Sequence, residues 1–187
     1  MQHPATLSEF QTSATYVSAI VRVLKKLGQF EAVVATADAN AAQMLRVPNA
    51  QSWWRAPEAF AMTQAIVAVG GEDLVHRVGQ LAVTESMSMI IRPFVTVLLA
   101  ISGPSPATLL SRFGQLSQAA VKNVKFDWKP TGPHSGELTV TYPLEIPAEY
   151  CAYWLGAFEF VWATTKKAGT TKAKHNGSSL HFALSWT

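Results

Sequence analysis

The spacing of apolar residues changes from a helical to an alternating pattern in the last third of the chain. Two alternating runs, at 124–128 and 138–142, flank a stretch rich in proline and glycine. A second pair of runs, at 170–175 and 180–186, flanks Asn176-Gly177. Period two is typical of half-buried strands, and Asn-Gly between two such runs is a strong signal for a tight hairpin. The sequence therefore predicts two β-hairpins.

A long run with helical spacing separates the two predicted hairpins. From Ala148 to about Ala168, large aromatic residues recur at intervals of three and four, which places many of them on neighbouring helix faces. Each such side chain buries about 150–250 Å² when it is enclosed. We therefore expect this helix to pack on the sheet, in the element order ββαββ. The aromatic residues are Tyr150, Tyr153, Trp154, Phe158 and Trp162.

The first half of the chain has helical periodicity with clear start and stop signals. Ser13 is placed to cap a first helix that Gly28 ends, and Asp38 is placed to cap another. Pro57 starts a helix that Gly70-Gly71 ends, and Ser105-Pro106 starts a later one. The first predicted helix ends at Gly28. The later predicted helices cover 30–36, 39–47, 57–69, 72–89, 94–101 and 105–116.

These elements predict the α+β class, with a helical N-terminal half packed on a four-stranded antiparallel sheet that carries one long helix. We expect one domain over 1–187, made of a helical subdomain at 1–118 and an α/β subdomain at 119–187. The stretch from Pro130 to Gly136 is predicted to be a loop inside the sheet, because strands flank it on both sides.

Composition narrows the class of protein. Hydrophobic residues make up 49% of the 187 residues and charged residues 14%, which supplies enough apolar surface for a large core. The net charge is +3, and the one local basic cluster falls at a predicted helix end and in the hairpin that follows. Because no nucleic-acid-reading motif accompanies it, nucleic acid is not an expected partner. The cluster consists of Lys166, Lys167, Lys172 and Lys174.

The number of cysteines and the length of the apolar stretches indicate the cellular compartment of the protein. The lone Cys151 excludes an internal disulfide framework and fits a reducing compartment. The N-terminus lacks the basic and apolar regions of a signal peptide. The longest apolar stretch, around 94–101, is too short to span a bilayer. We therefore expect a cytoplasmic protein with no membrane partner.

Three features of the sequence belong together: the helical first half, Gly103-Pro104 with the helix after it, and the strand ending Tyr142-Pro143. In these features the chain resembles the haem-nitric-oxide-binding-like superfamily and, within it, a myxobacterial paralogous family of unknown function. The resemblance extends to the N-terminal effector domains of arabinose-regulator-type transcription factors, whose helical half looks similar. Further matching positions are Leu109, Leu110, Arg112 and Phe113, the helix from Ala148 with Gly156, and Leu184-Ser185-Trp186.

What the resemblance implies is a ligand held between a helical subdomain and a four-stranded sheet. Haem-binding members of the superfamily use a histidine on the helix before the sheet and a Tyr-x-Ser-x-Arg motif that holds the haem propionates. Here the helix at 105–116 has no histidine, and Leu144 and Ile146 follow Tyr142 at the serine and arginine positions. Aliphatic side chains cannot neutralise propionates, so we expect no haem cofactor.

Residues with reactive side chains do not form a recognisable catalytic or metal-binding motif. The five histidines lack metal-ligand spacing, although His175 and His181 could face each other across the second hairpin as a weak two-ligand site. Cys151, near a helix start, is either a nucleophile or a small buried residue, and His76 is either a base or a surface histidine. We therefore expect no metal site and no catalytic residues, and an enzyme that uses Cys151 or His76 is the weakest alternative.

Adjacent tryptophans, Trp53 and Trp54, stand in a predicted loop before Pro57. If the segment is extended, neighbouring side chains point to opposite sides, so one tryptophan plugs the core and the other is exposed. An exposed tryptophan is typical of a ligand rim or a protein contact. The alternative is a bend that packs both rings into the core.

The leading hypothesis is a non-haem sensor or regulatory domain that binds a small, mainly apolar molecule between its two halves. Tyr142 is the expected polar group of the site. The alternative hypothesis is a ligand-free module for protein–protein interaction whose core is filled by its own aromatic residues and whose contact surface includes Trp53 or Trp54. Either function implies a protein partner or a homodimer. The expected ligand-binding residues are Phe94, Leu98, Leu109, Phe113, Tyr142, Trp154 and Phe158.

Overall fold

The structure of the protein, a computed structural model, describes residues 9–90, 95, 103 and 105–187. Among these residues a helical N-terminal part precedes a mixed C-terminal part, which confirms the predicted α+β class. The helices are α1 Ala14–Lys26, α2 Phe30–Thr36, α3 Ala39–Arg46, α4 Ala56–Ile90, α5 Pro106–Ser111, α6 Phe113–Ser117 and α7 Tyr150–Thr165, with a 3₁₀ turn at Pro48–Ala50. The strands are β1 Gln11–Ser13, β2 Trp53–Arg55, β3 Val121–Lys122, β4 Lys125–Gly132, β5 Ser135–Thr141, β6 Gly169–Asn176 and β7 Ser179–Trp186.

The helix boundaries in the N-terminal part follow the predicted caps. The Ser13 hydroxyl accepts a hydrogen bond of 3.2 Å from the backbone N–H of Tyr16, and the chain then enters α1. The Asp38 carboxylate accepts one of 2.8 Å from the backbone N–H of Ala41 at the start of α3. Each side chain satisfies one of the N–H groups that a helix start leaves without a partner. Both predicted caps are confirmed.

α4 consists of two helices that meet at Gly70 and Gly71, where the backbone angles are not helical, so the predicted break at this pair is confirmed. Another helix prediction needs a different description. The continuous helix predicted at 105–116 is wrong, because the chain leaves helical geometry at Arg112 and divides into α5 and α6. The helix predicted at 94–101 lies outside the described residues, apart from the buried Val95.

The main sheet is antiparallel, with the strand order β4-β5-β7-β6. The second hairpin turns at Gly177-Ser178, between the paired residues Asn176 and Ser179, and the φ of +58° at Gly177 suits a residue without a side chain. The loop predicted from Pro130 to Gly136 is wrong in extent. β4 continues to Gly132 across an irregularity in the pairing, and β5 begins at Ser135.

A second, smaller sheet has the order β2-β1-β3 and was not predicted. Gln11 pairs with Arg55 on one side and with Lys122 on the other, which ties three distant parts of the chain together. The segment Trp53-Trp54-Arg55 is therefore a strand, and its predicted loop conformation is wrong. Strands of two or three residues are too short to show a period of two in sequence.

The buried side chains form two clusters that meet where α4 crosses α7. One cluster belongs mainly to α1–α4 and the other to α5–α7 and the main sheet. At the crossing, Gly79 of α4 and Gly156 of α7 allow the two backbones to touch, because a Cβ atom at either position would overlap a carbonyl group of the opposite helix. The predicted division at 118 stays a prediction, since each cluster includes residues from both sides of that boundary, such as Ala59 and Tyr153. Among the described residues, no helix is both long and apolar enough to cross a bilayer.

A tyrosine-lined cavity between the two parts of the fold

A cavity of about 80 Å³ lies between the helical part and the sheet part. α1 and α4 line it from the helical part, and α6 and α7 line it from the other, with Tyr142 entering just after β5. Its described walls are mainly aromatic and aliphatic, and no charged side chain is among them. The aromatic wall residues are Phe10, Tyr16, Phe113, Tyr142, Tyr150, Tyr153 and Trp154.

All four tyrosines of the chain line this cavity. Three of them come from one region of sequence, because Tyr150 and Tyr153 lie one turn apart on α7 and Tyr142 precedes that helix. Tyr16, from α1, faces them from the helical part, with its hydroxyl 2.6 Å from that of Tyr153. The cluster therefore joins both parts of the fold through polar groups inside an apolar core.

Three of the four phenols in the cluster have a defined hydrogen-bond partner. The indole N–H of Trp154 donates to the Tyr142 hydroxyl over 2.8 Å, and the Tyr153 hydroxyl donates to that of Tyr16. Thr63, whose hydroxyl donates to the backbone carbonyl of Ala59, lies beside the Tyr150 hydroxyl and acts to lower the pKa of that phenol. These bonds offset the cost of burying polar groups, which is why the hydroxyls can sit in an aromatic core.

Ring packing holds the phenols in place. Phe10 meets the ring of Tyr142 edge-on, with the ring centres 5.2 Å apart, and Phe60 meets Tyr150 in the same way at 5.2 Å. Phe113 contacts Trp154 in a tilted arrangement, with the ring centres 5.7 Å apart. Aromatic pairs contribute about 0.5–1.5 kcal/mol each beyond the area that they bury.

Burial keeps the phenols protonated. Loss of solvent raises the pKa of Tyr16 and Tyr150 above their ordinary value and raises the pKa of Tyr142 and Tyr153 further. Neighbouring tyrosines add to the rise in the pKa of Tyr142 and Tyr153, because the negative charges of two phenolates in one cluster would repel each other. At neutral pH the cavity therefore presents uncharged O–H groups.

Five of the seven predicted ligand-binding residues lie in one buried cluster around this site. Phe113, Tyr142 and Trp154 line the cavity. Leu109 and Phe158 are buried in the same cluster without lining it, and Phe158 instead packs on Phe182 of β7, with the ring centres 4.9 Å apart. Phe94 and Leu98 lie outside the described residues.

Several wall residues were not predicted from the sequence. Tyr150 and Tyr153 were predicted only as core aromatics, although their spacing places them beside Trp154 on the same helix. Phe10 and Tyr16 come from the first elements of the chain, and Met62 and Thr63 come from α4. No local pattern connects these segments, because β1 and the crossing of α4 with α7 bring them together.

The two tryptophans predicted as an interaction surface point in opposite directions. Trp54 is buried, and its indole N–H donates to the backbone carbonyl of Pro48 over 2.8 Å. Trp53 is half-buried, and the Lys122 ammonium lies 3.9 Å from its ring centre. The alternation follows from the strand geometry of β2.

The candidate reactive residues are not brought together. His175 and His181 lie on opposite faces of the hairpin, since His175 pairs with Leu180, so the idea that they face each other is wrong. Burial, and then the carboxylate of Glu72, raises the pKa of the Cys151 thiol, which disfavours the thiolate. His76 is half-buried and lies outside the cavity walls. Among the described residues, no group of three or more His, Cys, Asp or Glu side chains is placed to hold a metal ion.

Solved structures with the same fold are H-NOX domains. An H-NOX protein from K. algicida in its Fe(II) unliganded form matches with a TM-score of 0.68 and 11% identity, over 94% of this chain and 96% of that chain. An oxygen-binding H-NOX domain related to soluble guanylate cyclases, solved as its oxygen complex, matches with a TM-score of 0.65 and 13% identity, over 94% of this chain and 95% of that chain. No protein-family model and no curated protein matches the sequence. The fold expected from the resemblance is thus confirmed.

The described residues do not fit a haem group held in the manner that the resemblance implies. α5 and α6 carry no histidine, and no histidine or arginine is among the described cavity walls. Ile146, at the position of the expected arginine, is buried in the apolar cluster. The raised pKa values of the wall tyrosines disfavour the tyrosinate form that would be needed for phenolate ligation. A cavity of about 80 Å³ is also well below the usual range of about 300–1,000 Å³ for ligand pockets.

Proposed function

We propose that this chain is a sensor or regulatory domain that binds a small, mainly apolar, neutral molecule in the tyrosine-lined cavity without haem. The observation that carries the proposal is the position of the cavity, whose walls come from both parts of the fold. A molecule in this place contacts α1 and α4 on one side and α7 on the other. Binding can then change the relative stability of two arrangements of these helices, which is the physical requirement for a sensor.

The fold supports a sensor role, because the similar structures are H-NOX proteins and one of them is an oxygen-binding domain. The haem-free part of the proposal rests on this chain alone, on its apolar residue at 146 and the absence of imidazole from the described cavity walls. The membership predicted in a myxobacterial paralogous family, and the likeness to effector domains of arabinose-regulator-type transcription factors, remain finer parts of the same proposal.

A second function, a ligand-free protein-interaction module, is favoured by the small size of the cavity. Aromatic side chains already fill most of the space between the two parts, and Trp53 remains half-buried at the surface. For either function we propose signalling through a protein partner or a second copy of the chain, in the cytoplasm, without nucleic acid, membrane or catalysis.

The test of the proposed function is native mass spectrometry of the protein purified from haem-supplemented cells, with an absorption spectrum of the same sample. We expect a copurified mass that is lost on denaturation, and no Soret band. The matched control is Ala59→Leu, which adds three carbons at a buried wall position of the cavity and is expected to abolish the extra mass.

Each other result has a defined meaning. A Soret band contradicts the haem-free part of the proposal. A clean apo mass, with no stabilisation of the protein by small neutral probes, contradicts ligand binding. If a dimer peak accompanies the clean mass, the interaction module becomes the better description.

A further inference from the structure

The hydroxyl protons of the tyrosine cluster outnumber the acceptors that the described residues supply. The Tyr142 hydroxyl oxygen accepts a hydrogen bond from the indole N–H of Trp154. This bond does not use the hydroxyl proton of Tyr142. Tyr16 and Tyr153 share one hydrogen bond and possess two protons, so one of these is unused whichever hydroxyl donates. Within the part of the chain that the structure describes, no acceptor is found for either of these two protons.

Three other hydroxyl groups of the described walls donate their protons to backbone carbonyls. Thr63 donates to the carbonyl of Ala59, and Thr12 donates to that of Ala120, at 3.1 and 3.3 Å. Ser86 donates to the carbonyl of Val83 at 3.1 Å. Thr63 also lies beside the Tyr150 hydroxyl and acts to lower the pKa of that phenol. Tyr142 and the pair formed by Tyr16 and Tyr153 are therefore buried wall groups that keep a proton to donate.

Both donors are deeply buried at the cavity. Tyr142 is 3% exposed and Tyr16 is 8% exposed, and both side chains line the cavity wall. A buried O–H group without an acceptor costs about as much as a lost hydrogen bond, so a molecule that brings an acceptor to this place relieves that cost. The rest of the wall is apolar and uncharged, which selects against ions.

We propose that the ligand of this cavity is a compact neutral molecule with a hydrogen-bond-accepting oxygen, such as a small ketone, aldehyde or ether, which accepts from Tyr142 and from the Tyr16–Tyr153 pair. This inference rests on the proposed function and specifies its ligand class. A dry cavity of about 150 Å³ can hold benzene, which has six heavy atoms. The cavity of about 80 Å³ in this protein therefore suits a molecule of about three or four heavy atoms.

The test uses two probes of equal shape, acetone and isobutene, which differ in that a carbonyl oxygen of one replaces a methylene group of the other. Dissociation constants are measured by NMR titration for the wild type and for Tyr142→Phe. We expect the variant to weaken acetone binding by about three- to tenfold, the usual effect of one neutral hydrogen bond, and to leave isobutene binding within about twofold.

A direct readout accompanies the affinities. The infrared carbonyl stretch of bound acetone moves to lower frequency when the oxygen accepts hydrogen bonds, and we expect this shift in the wild type and a smaller one in Tyr142→Phe. Thr165→Val is the control. Thr165 is buried on α7, its hydroxyl donates to the backbone carbonyl of Val161, and its side chain does not line the cavity. This variant should leave both dissociation constants and the stretch unchanged.

The outcomes separate this inference from the proposed function. If the wild type binds both probes but Tyr142→Phe changes their affinities equally, or if the stretch equals that of acetone in an apolar solvent, the acceptor class is wrong while the cavity still binds ligands. If the wild type binds neither probe, the proposed ligand cavity fails, and the inference fails with it.

Discussion

At the scale of single residues, the buried tyrosines of the cavity make the stability of the folded protein depend on pH in the alkaline range. Each phenolate would lose its hydration without gaining a positively charged neighbour among the described walls. Because the folded-state pKa of every tyrosine is raised, the folded protein holds phenol protons that the unfolded chain releases above about pH 10. Stability is then unaffected by these groups below about pH 10 and decreases as the pH rises beyond it.

We therefore predict a steep alkaline unfolding transition. One phenol lowers the free energy of unfolding by about 1.4 kcal/mol per pH unit, so the four together give a slope of about 5 kcal/mol per pH unit. Denaturant titrations at several alkaline pH values measure the slope, and near-ultraviolet absorbance follows tyrosinate formation. Tyr142→Phe should reduce the slope by about a quarter. Gradual tyrosinate formation near pH 10 in a protein that stays folded would contradict the burial of the cluster.

At the scale of elements, the close crossing of α4 and α7 sets the distance between the two parts of the fold. A Cβ atom at Gly156 would overlap the carbonyl oxygen of His76, and one at Gly79 would overlap that of Tyr153. Backbone cannot move aside as the end of a flexible side chain can, so a larger residue at either position pushes the helices apart. The cavity lies beside this crossing, and Tyr153 contributes to both.

Substitution of Gly156 tests the crossing. Alanine favours a helix over glycine by about 1 kcal/mol, yet we predict that Gly156→Ala lowers the free energy of unfolding by about 1–3 kcal/mol because of the overlap with α4. The matched control is Gly114→Ala in α6, where the added carbon would meet the side chain of Phe126 at 3.0 Å. We expect the control to stay within about 1 kcal/mol of the wild type. A Gly156→Ala protein with unchanged stability would show that the helices do not touch in solution.

The success of the sequence predictions also varied with the element. The second hairpin was predictable because its turn residues and its period of two lie within one short segment around Gly177. The β2-β1-β3 sheet was not, because Gln11 finds its partners Arg55 and Lys122 far along the chain, in strands of two or three residues. Local patterns predict local pairing, whereas distant pairing depends on the packing of the whole chain.

The cavity is a property of the whole molecule. Phe113, Tyr142 and Trp154 were predicted because they fall on elements next to the sheet, but Tyr16 and Phe10 reach the site only through the position of α1 and β1. The polar groups of the site were likewise predictable only where they lie on elements next to the sheet. Tyr142 was expected as its polar group, whereas the hydrogen bond between Tyr16 and Tyr153 joins hydroxyls 137 positions apart in sequence.

Two buried alanines test the cavity in the intact protein. Ala59 lines it and Ala157 lies in the same cluster away from it, and each is 1% exposed. We predict that Ala59→Leu raises the free energy of unfolding by about 0.5–2 kcal/mol because the added carbons fill empty space. Ala157→Leu should lower it by about 1–3 kcal/mol because the core there is filled. Equal losses for the two variants, measured by denaturant unfolding, would show that no space exists beside Ala59.

The position of β7 in the main sheet has a consequence for biosynthesis. β7 pairs with β5 on one side and with β6 on the other, yet it is the last strand of this sequence to leave the ribosome. Until residues 179–186 have emerged, the β4–β5 hairpin and β6 share no partner, and the aromatic face of α7 has no complete sheet to cover. Most of the helical cluster can form on the nascent chain, whereas the sheet side can assemble only after β7 has emerged, with its apolar surface exposed to other proteins in the meantime.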